Sequence, residues 1–288
     1  MRLADGRRAF FKGSYPLPAR SRIEFRTRNE ERVYRDLARY LRGHAPRFFG
    51  AFERAGWHVL LLEDLGPPTM PPWTVARTRL AARAYARFHR GTLGTALPRW
   101  LPRDTHHGFG IFWRRLARSG EVARVSALAE GRRRDAARWI ANALPMLRRA
   151  EGGVKRIRPP FALLHFDTRS DNVRLIGDRL VMFDWPFASV GPAEFDAAAF
   201  AQAVAAEGGP TPERVLAWYE EVVALRPGAL DACIAGIAGL FADRAWRPPV
   251  PGLPRLRSIQ RRQLKATLPW AARRLDLPHP EWIDAVPD

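Results

Sequence analysis

The sequence predicts an α+β protein in two lobes, a small antiparallel β lobe followed by a larger, mainly helical one. Three observations carry this. Short strand-like runs flank one helical pattern within the first 65 residues. A proline-dense stretch follows, with Pro67, Pro68, Pro71 and Pro72 behind Gly66. Beyond it, apolar residues recur at helical spacing almost to the C-terminus, interrupted by one tight hairpin at 173–183.

The elements follow in order. Residues 2–4, the Asp5-Gly6 pair and residues 8–12 read as strand, turn and strand, since Asp-Gly readily adopts the positive φ values that a tight hairpin needs. Residues 29–37 pattern as an amphipathic helix with Val33, Tyr34 and Leu37 inward. Residues 58–65 form a buried strand with a polar exit at Glu63 and Asp64. The prolines behind it continue neither a ladder nor a helix, which sets a boundary between lobes 1–66 and 67–288. Helices are expected at 74–90, 192–206, 211–225, 230–246 and 256–275. One or two more lie within 122–150, broken near Pro145 because proline removes a helical hydrogen bond. Thr211 followed by Pro212 is a favourable helix start. No internal repeat is visible.

Composition bounds the function. At 288 residues and 47% hydrophobic, the chain can bury one large core or two lobes. Its single cysteine, Cys233, excludes an internal disulfide and reads as a small buried residue. With no apolar leader, and with its longest weakly polar run (232–242) too short to span a bilayer, the chain is expected to be cytoplasmic and free of membrane. The net charge of +19 invites polyanion binding. The arginines are spread along the whole chain, however, and no nucleic-acid-binding motif accompanies them, so no specific nucleic-acid partner is expected. The oligomeric state is open.

The chemistry concentrates at 165–184. His165, Asp167 and Asn172 stand in the H-x-D-x-x-x-x-N form of a kinase-type catalytic loop, and twelve residues on an apolar run ends in Asp184. Residues 173–176 and 180–183 read as strands about a Gly177-Asp178 turn, a hairpin that brings Asn172 and Asp184 to the same end. Phosphoryl transfer needs an aimed hydroxyl and neutralised charge more than covalent help. Asp167 suits the first task. The Asn172 amide oxygen and the Asp184 carboxylate suit a Mg²⁺ ion, which prefers oxygen ligands. A lone D-x-x-x-x-N reads better as a helix cap with polar strand ends. The histidine, the hairpin and the second aspartate, all in order, favour the catalytic set.

On these residues the chain resembles the aminoglycoside phosphotransferase-like small-molecule kinases, relatives of the protein kinases. Asp184-Trp185 stands where protein kinases have Asp-Phe-Gly. Gly191, Pro192 and Asp196 are similar to the family's G-x-P-x-x-D stretch, in place of A-P-E. Phe166 departs from the pattern, since glycine is commoner there, and its position beside the reacting centre alters the pocket. The resemblance runs from the first residues to about Asp196. It implies a two-lobed protein-kinase-like fold, ATP or GTP as co-substrate with Mg²⁺, and phosphorylation of a small-molecule hydroxyl.

Residue by residue, the resemblance makes Asp167 the catalytic base and Asn172 and Asp184 the metal ligands. Lys12 becomes the strand lysine on the α- and β-phosphates. Glu30 becomes its partner, in an E-x-x-x-Y-x-x-L helix with Tyr34 and Leu37. Glu31 ranks second, because one residue along a helix turns a side chain by about 100°. Glu63 and Leu65 fall where backbone groups meet the adenine. His165 holds the loop, Asp196 braces it through backbone hydrogen bonds, and His89 is a core histidine. The glycine-rich strand pair that kinase folds place over the phosphates is not evident in the eleven residues ahead of Lys12. Either the natural chain starts further upstream, or nucleotide binds without that cover. The alternatives to an active kinase are an impaired, pseudokinase-like nucleotide binder and a basic polyanion-binding protein on a kinase scaffold.

The expected acceptor is a neutral or weakly charged hydroxyl compound, such as a sugar, an amino alcohol or an aromatic-bearing metabolite. Polycationic aminoglycosides need clustered carboxylates. The acids in reach (Glu194, Glu213, Glu220, Glu221 and Asp231) are matched there by arginines and tryptophans.

Overall fold

In the computed structural model, which describes residues 6–14 and 22–288, both lobes form. The small lobe is a three-stranded antiparallel sheet of β1 (Ala9–Ser14), β2 (Phe48–Arg54) and β3 (Trp57–Glu63) in the order β1-β3-β2. Lys12 pairs with Leu60, and Phe10 with Leu62. The two-residue period of a strand puts Phe10 and Lys12 on one face. The expected strand at 2–4 and Asp5 of its turn lie outside the described residues. Helix α1 (Arg22–Asp36) starts well before residue 29, and α2 (Ala38–Leu41) follows it. Val33, Tyr34 and Leu37 are buried as the pattern requires.

The second lobe opens with α3 (Val75–Thr92), whose first turn is capped by Thr74 Oγ1 accepting the Arg77 N–H at 3.3 Å. Helices α4 (Phe112–Ser119), α5 (Val122–Ser126) and α6 (Arg133–Glu151) follow. The break expected at Pro145 does not occur. Proline costs one backbone bond there, but Ile140, Ala143 and Leu147 around it are buried, with α6 packed on α9, and that packing holds the helix through.

Two short antiparallel pairs then carry the site. Strand β4 (Ala162–Leu164) pairs with β7 (Ser189–Gly191). Between them β5 (Val173–Ile176) and β6 (Arg179–Met182) form the expected hairpin, in the register Val173 to Met182. Helices α7 (Ala193–Ala206), α8 (Pro212–Glu220), α9 (Pro227–Arg244) and α10 (Leu256–Arg274) complete the lobe. Helix α8 stops five residues short of expectation, where the Glu220 carboxylate accepts the Leu225 N–H at 3.4 Å. Cys233 and His89 are fully buried, as read from the sequence. Among the described residues, no helix is long and apolar enough to cross a membrane.

Under the β4–β7 pair lies His106, fully buried, with neither ring nitrogen hydrogen-bonded among the described residues. Burial, and secondarily the neighbouring His107, lowers its pKa from 6.5 to about 4. An unfolded chain takes up this proton near pH 6.5, and the folded one only near 4. The stability that the neutral ring confers is therefore intact above pH 6.5 and lost as the pH falls toward 4, at about 1.4 kcal/mol per pH unit. Urea unfolding across this window should show a flatter pH dependence for His106→Gln than for the wild type; parallel profiles would remove His106 as the cause.

Candidate active site

The end of the β5–β6 hairpin gathers groups from four segments. Asp184, just past β6, sits at φ +65°, a left-handed conformation that aspartate tolerates better than most residues. Its Oδ1 lies 2.7 Å from Lys12 Nζ, and the same ammonium lies 2.6 Å from Glu30 Oε2. Glu30 is buried, and its other oxygen accepts the Tyr34 hydroxyl and the Trp185 N–H, each at 3.3 Å. Glu31 turns away to Arg35 and His58, as its helical offset requires. Burial pulls the Lys12 pKa down, but Glu30 and Asp184 outweigh it and hold the ammonium above its ordinary value. Burial also pushes the Glu30 carboxyl up, with Lys12 opposing.

The loop from 165 to 172 takes its shape from Asp196, in the first turn of α7 and wholly buried. Asp196 Oδ2 accepts the His165 N–H and the Tyr85 hydroxyl, each at 2.6 Å, and Oδ1 accepts the Phe166 N–H at 3.0 Å. Burial pushes this carboxyl up, yet the surrounding His89, Tyr85 and His165 groups outweigh that and leave it below its ordinary range. His165 passes the order on. Its Nε2 donates to the Phe183 carbonyl at 3.0 Å, and its Nδ1 accepts the Asp167 N–H at 3.2 Å. Those partners require the neutral ring, and burial lowers the His165 pKa accordingly.

Phe166 sits at φ +73°. A side chain in this left-handed region costs roughly 1–2 kcal/mol, which is why glycine suits the position. Here the ring packs 4.6 Å from Phe195, centroid to centroid. Asp167 Oδ1 accepts the Arg169 Nε–H at 2.9 Å. Asn172 donates its amide N–H to the Asp167 carbonyl at 2.8 Å, and its own carbonyl accepts the Phe183 N–H at 3.0 Å. Among the described residues its side-chain oxygen accepts no hydrogen bond, which leaves it for a ligand. One amide oxygen and one carboxylate fit Mg²⁺, which is commonly held by one or two carboxylates while phosphate and water fill its remaining positions.

Two cavities flank this set. The smaller, about 140 Å³, is lined by Phe10, Lys12, Glu63, Leu65, Arg174 and Asp184 among others. The Glu63 carboxylate is engaged with the Arg47 N–H at 3.0 Å, so its carboxylate braces the sheet. The larger, about 510 Å³, includes Asp167 in its wall. Lys12, Glu30, Asn172, Asp184 and Asp167 are thus brought together, with Glu63 and Leu65 on the rim of the first cavity. Sequence reasoning missed Phe10, Arg169 and Arg174. Strand alternation from Lys12 gives Phe10, whereas nothing distinguishes one arginine among so many. None of the acids weighed for a polycationic acceptor lines the larger cavity. Glu194 pairs with Arg226, Glu213 with Arg273, Glu221 with Arg79 and Asp231 with Arg274.

The sequence profile of the phosphotransferase enzyme family (APH) matches residues 15–233, and the chain belongs to that family. No curated protein sequence matches it. Among solved structures, it is similar to the AMP-bound complex of a spectinomycin phosphotransferase, with TM-score 0.58 and 14% identity over 91% of this chain and 84% of that one. A choline/ethanolamine kinase family protein from Mesorhizobium loti gives TM-score 0.54 and 16% identity, over 96% and 86%. An aminoglycoside-3'-phosphotransferase of type VIII gives 0.51 and 20%, over 81% and 85%. At these identities the likeness establishes the two-lobed protein-kinase-like fold.

Replacing Asp196 by alanine leaves two backbone N–H groups and a phenol buried without acceptors, each costing about 1–3 kcal/mol. Asp196→Ala should therefore destabilise the protein by roughly 3–9 kcal/mol, read as a lowered urea midpoint. A loss under about 1 kcal/mol would mean that the loop is held by other contacts.

Proposed function

We propose that the protein transfers the γ-phosphoryl group of ATP or GTP, in a Mg²⁺-dependent reaction, to a hydroxyl group of a small molecule. The observation that carries this reading is the convergence of Lys12, Glu30 and Asp184 on one cavity, with Asp167 in the wall of another and Asn172 bonded to the Asp167 carbonyl. The nucleotide occupies the smaller side, between residues 1–66 and 67–288, with its base near the backbone of Glu63 and Leu65. The acceptor occupies the larger side.

Each residue has a task there. Lys12 holds the α- and β-phosphates, and Glu30 keeps its ammonium aimed, buried as that carboxylate is. Asn172 and Asp184 hold the metal ion, which when bound neutralises phosphate charge. Asp167 accepts the proton of the acceptor hydroxyl as its oxygen bonds to the γ-phosphorus and the bond to the departing nucleoside diphosphate breaks. His165 stays neutral and fixes the loop. Lys12 also grips Asp184 at 2.7 Å, so nucleotide entry exchanges that contact for phosphate and metal.

Two substitutions separate these roles. Asp167→Asn should lower turnover by ~10²–10⁴-fold, the usual worth of general-base help, with Mg·ATP affinity nearly unchanged. Rates are read as nucleoside diphosphate release against a panel of hydroxyl compounds, and wild-type turnover in the variant would sink the assignment. Asp184→Ala removes an anionic metal ligand and should abolish the Mg²⁺ dependence of ATP binding in calorimetry. An unchanged dependence would place the metal elsewhere.

A further inference from the structure

Resting on the phosphotransferase reading, the cavity beside Asp167 says what kind of hydroxyl compound enters it. Its floor is aromatic: Phe109, Phe166 and Phe195 lie with ring centroids 4.4–5.9 Å apart. Its uncharged polar lining is Thr168, Gln202, Gln260 and Gln263. Gln202 is only 3% exposed, and its Oε1 has no hydrogen-bond partner among the described residues. The charged side chains on the wall are Asp167, Arg169 and Arg244. Asp167 is already paired with Arg169 at 2.9 Å. Among the described residues a cationic acceptor therefore finds no free carboxylate here and meets two guanidinium groups.

Arg244 is backed by an excess of positive charge. The buried Asp243 lies 2.5 Å from Arg115, 3.0 Å from Arg247 and 3.4 Å from Arg244. One carboxylate thus serves three guanidinium groups, and of the three only Arg244 lines the cavity. The crowding extends to Arg257, whose pKa is lowered by burial and then by Arg244 and Arg247. An anion at Arg244 relieves this repulsion and gains a charge-assisted bond.

We propose that the acceptor is a hydroxyl compound with a flat apolar body and no cationic group, bearing at its far end a carboxylate or similar anion that pairs with Arg244. The apolar body lies on the phenylalanine floor, and the hydroxyl reaches Asp167.

An isosteric series of probes tests this by calorimetry on the full chain without nucleotide: 4-(hydroxymethyl)benzoate, its carboxamide and its aminomethyl counterpart, with kanamycin as the polycation. The benzoate should bind about tenfold more tightly than the carboxamide, a difference of ~1.4 kcal/mol. The amine should be weaker still, and kanamycin weakest. Arg244→Gln should collapse the difference between benzoate and carboxamide, whereas Arg244→Lys should keep part of it. The proposal is overturned if the amine or kanamycin binds as tightly as the benzoate, if the preference survives in Arg244→Gln, or if none of the aromatic probes binds. Titration of Mg·ATP in parallel separates the two readings. Nucleotide binding without the benzoate preference removes only the acceptor class. The preference without nucleotide binding removes phosphotransfer.

Discussion

One buried carboxylate holds the reacting end of the molecule in shape. Asp196 accepts hydrogen bonds from the backbone of His165 and Phe166 and from the Tyr85 hydroxyl, which ties α7, the 165–172 loop and α3 to a single group. In a low-dielectric interior such bonds are strong, and a missing partner is correspondingly expensive. Its place in the first turn of α7 adds the favourable end of the helix dipole. From there order propagates by contact. His165 fixes Phe183 and Asp167, Asn172 ties the loop to the hairpin, and Asp184 meets Lys12 and, through it, Glu30. The small lobe is thereby joined to the large one through ion pairs rather than through apolar packing alone.

The electrostatics are arranged differently at the two ends of the site. Around Lys12 the carboxylates are in excess, with two of them on one ammonium. Around Asp243 the guanidinium groups are, with three of them on one carboxylate. Elsewhere the excess of +19 is largely a matter of exposed arginines, several of them occupied by single acids. Surface pairs of that kind contribute little to stability. Their effect is to take carboxylates out of circulation, so that the field inside the cleft is set by the few charged groups on its walls.

Much of this was legible in the sequence, for identifiable reasons. The H-x-D-x-x-x-x-N spacing and the hairpin after it are local, so Asn172 and Asp184 fall together by strand geometry alone. Lys12 and Glu30 are eighteen residues apart, and only their resemblance to a known pattern paired them, correctly, ahead of Glu31. What escaped depends on long-range packing. The unbroken α6 across Pro145 follows from its seat on α9, which no local rule reports. The phenylalanine floor is assembled from residues 109, 166 and 195, far apart in the chain. Arg169 and Arg174 were hidden by the abundance of arginine, which strips any one of them of signal.

Phe166 couples two properties that usually vary separately. Its backbone is left-handed and its ring forms part of the cavity floor. Glycine there relaxes the loop but opens the floor, and a β-branched residue keeps some bulk while straining the backbone further. Drift at this position is thus confined to a narrow alphabet, in which each gain in loop stability is exchanged for a change in what the cleft accepts. The shape of that cavity is consequently tied to mutational tolerance at a residue that is neither a proposed metal ligand nor on the wall of the smaller cavity.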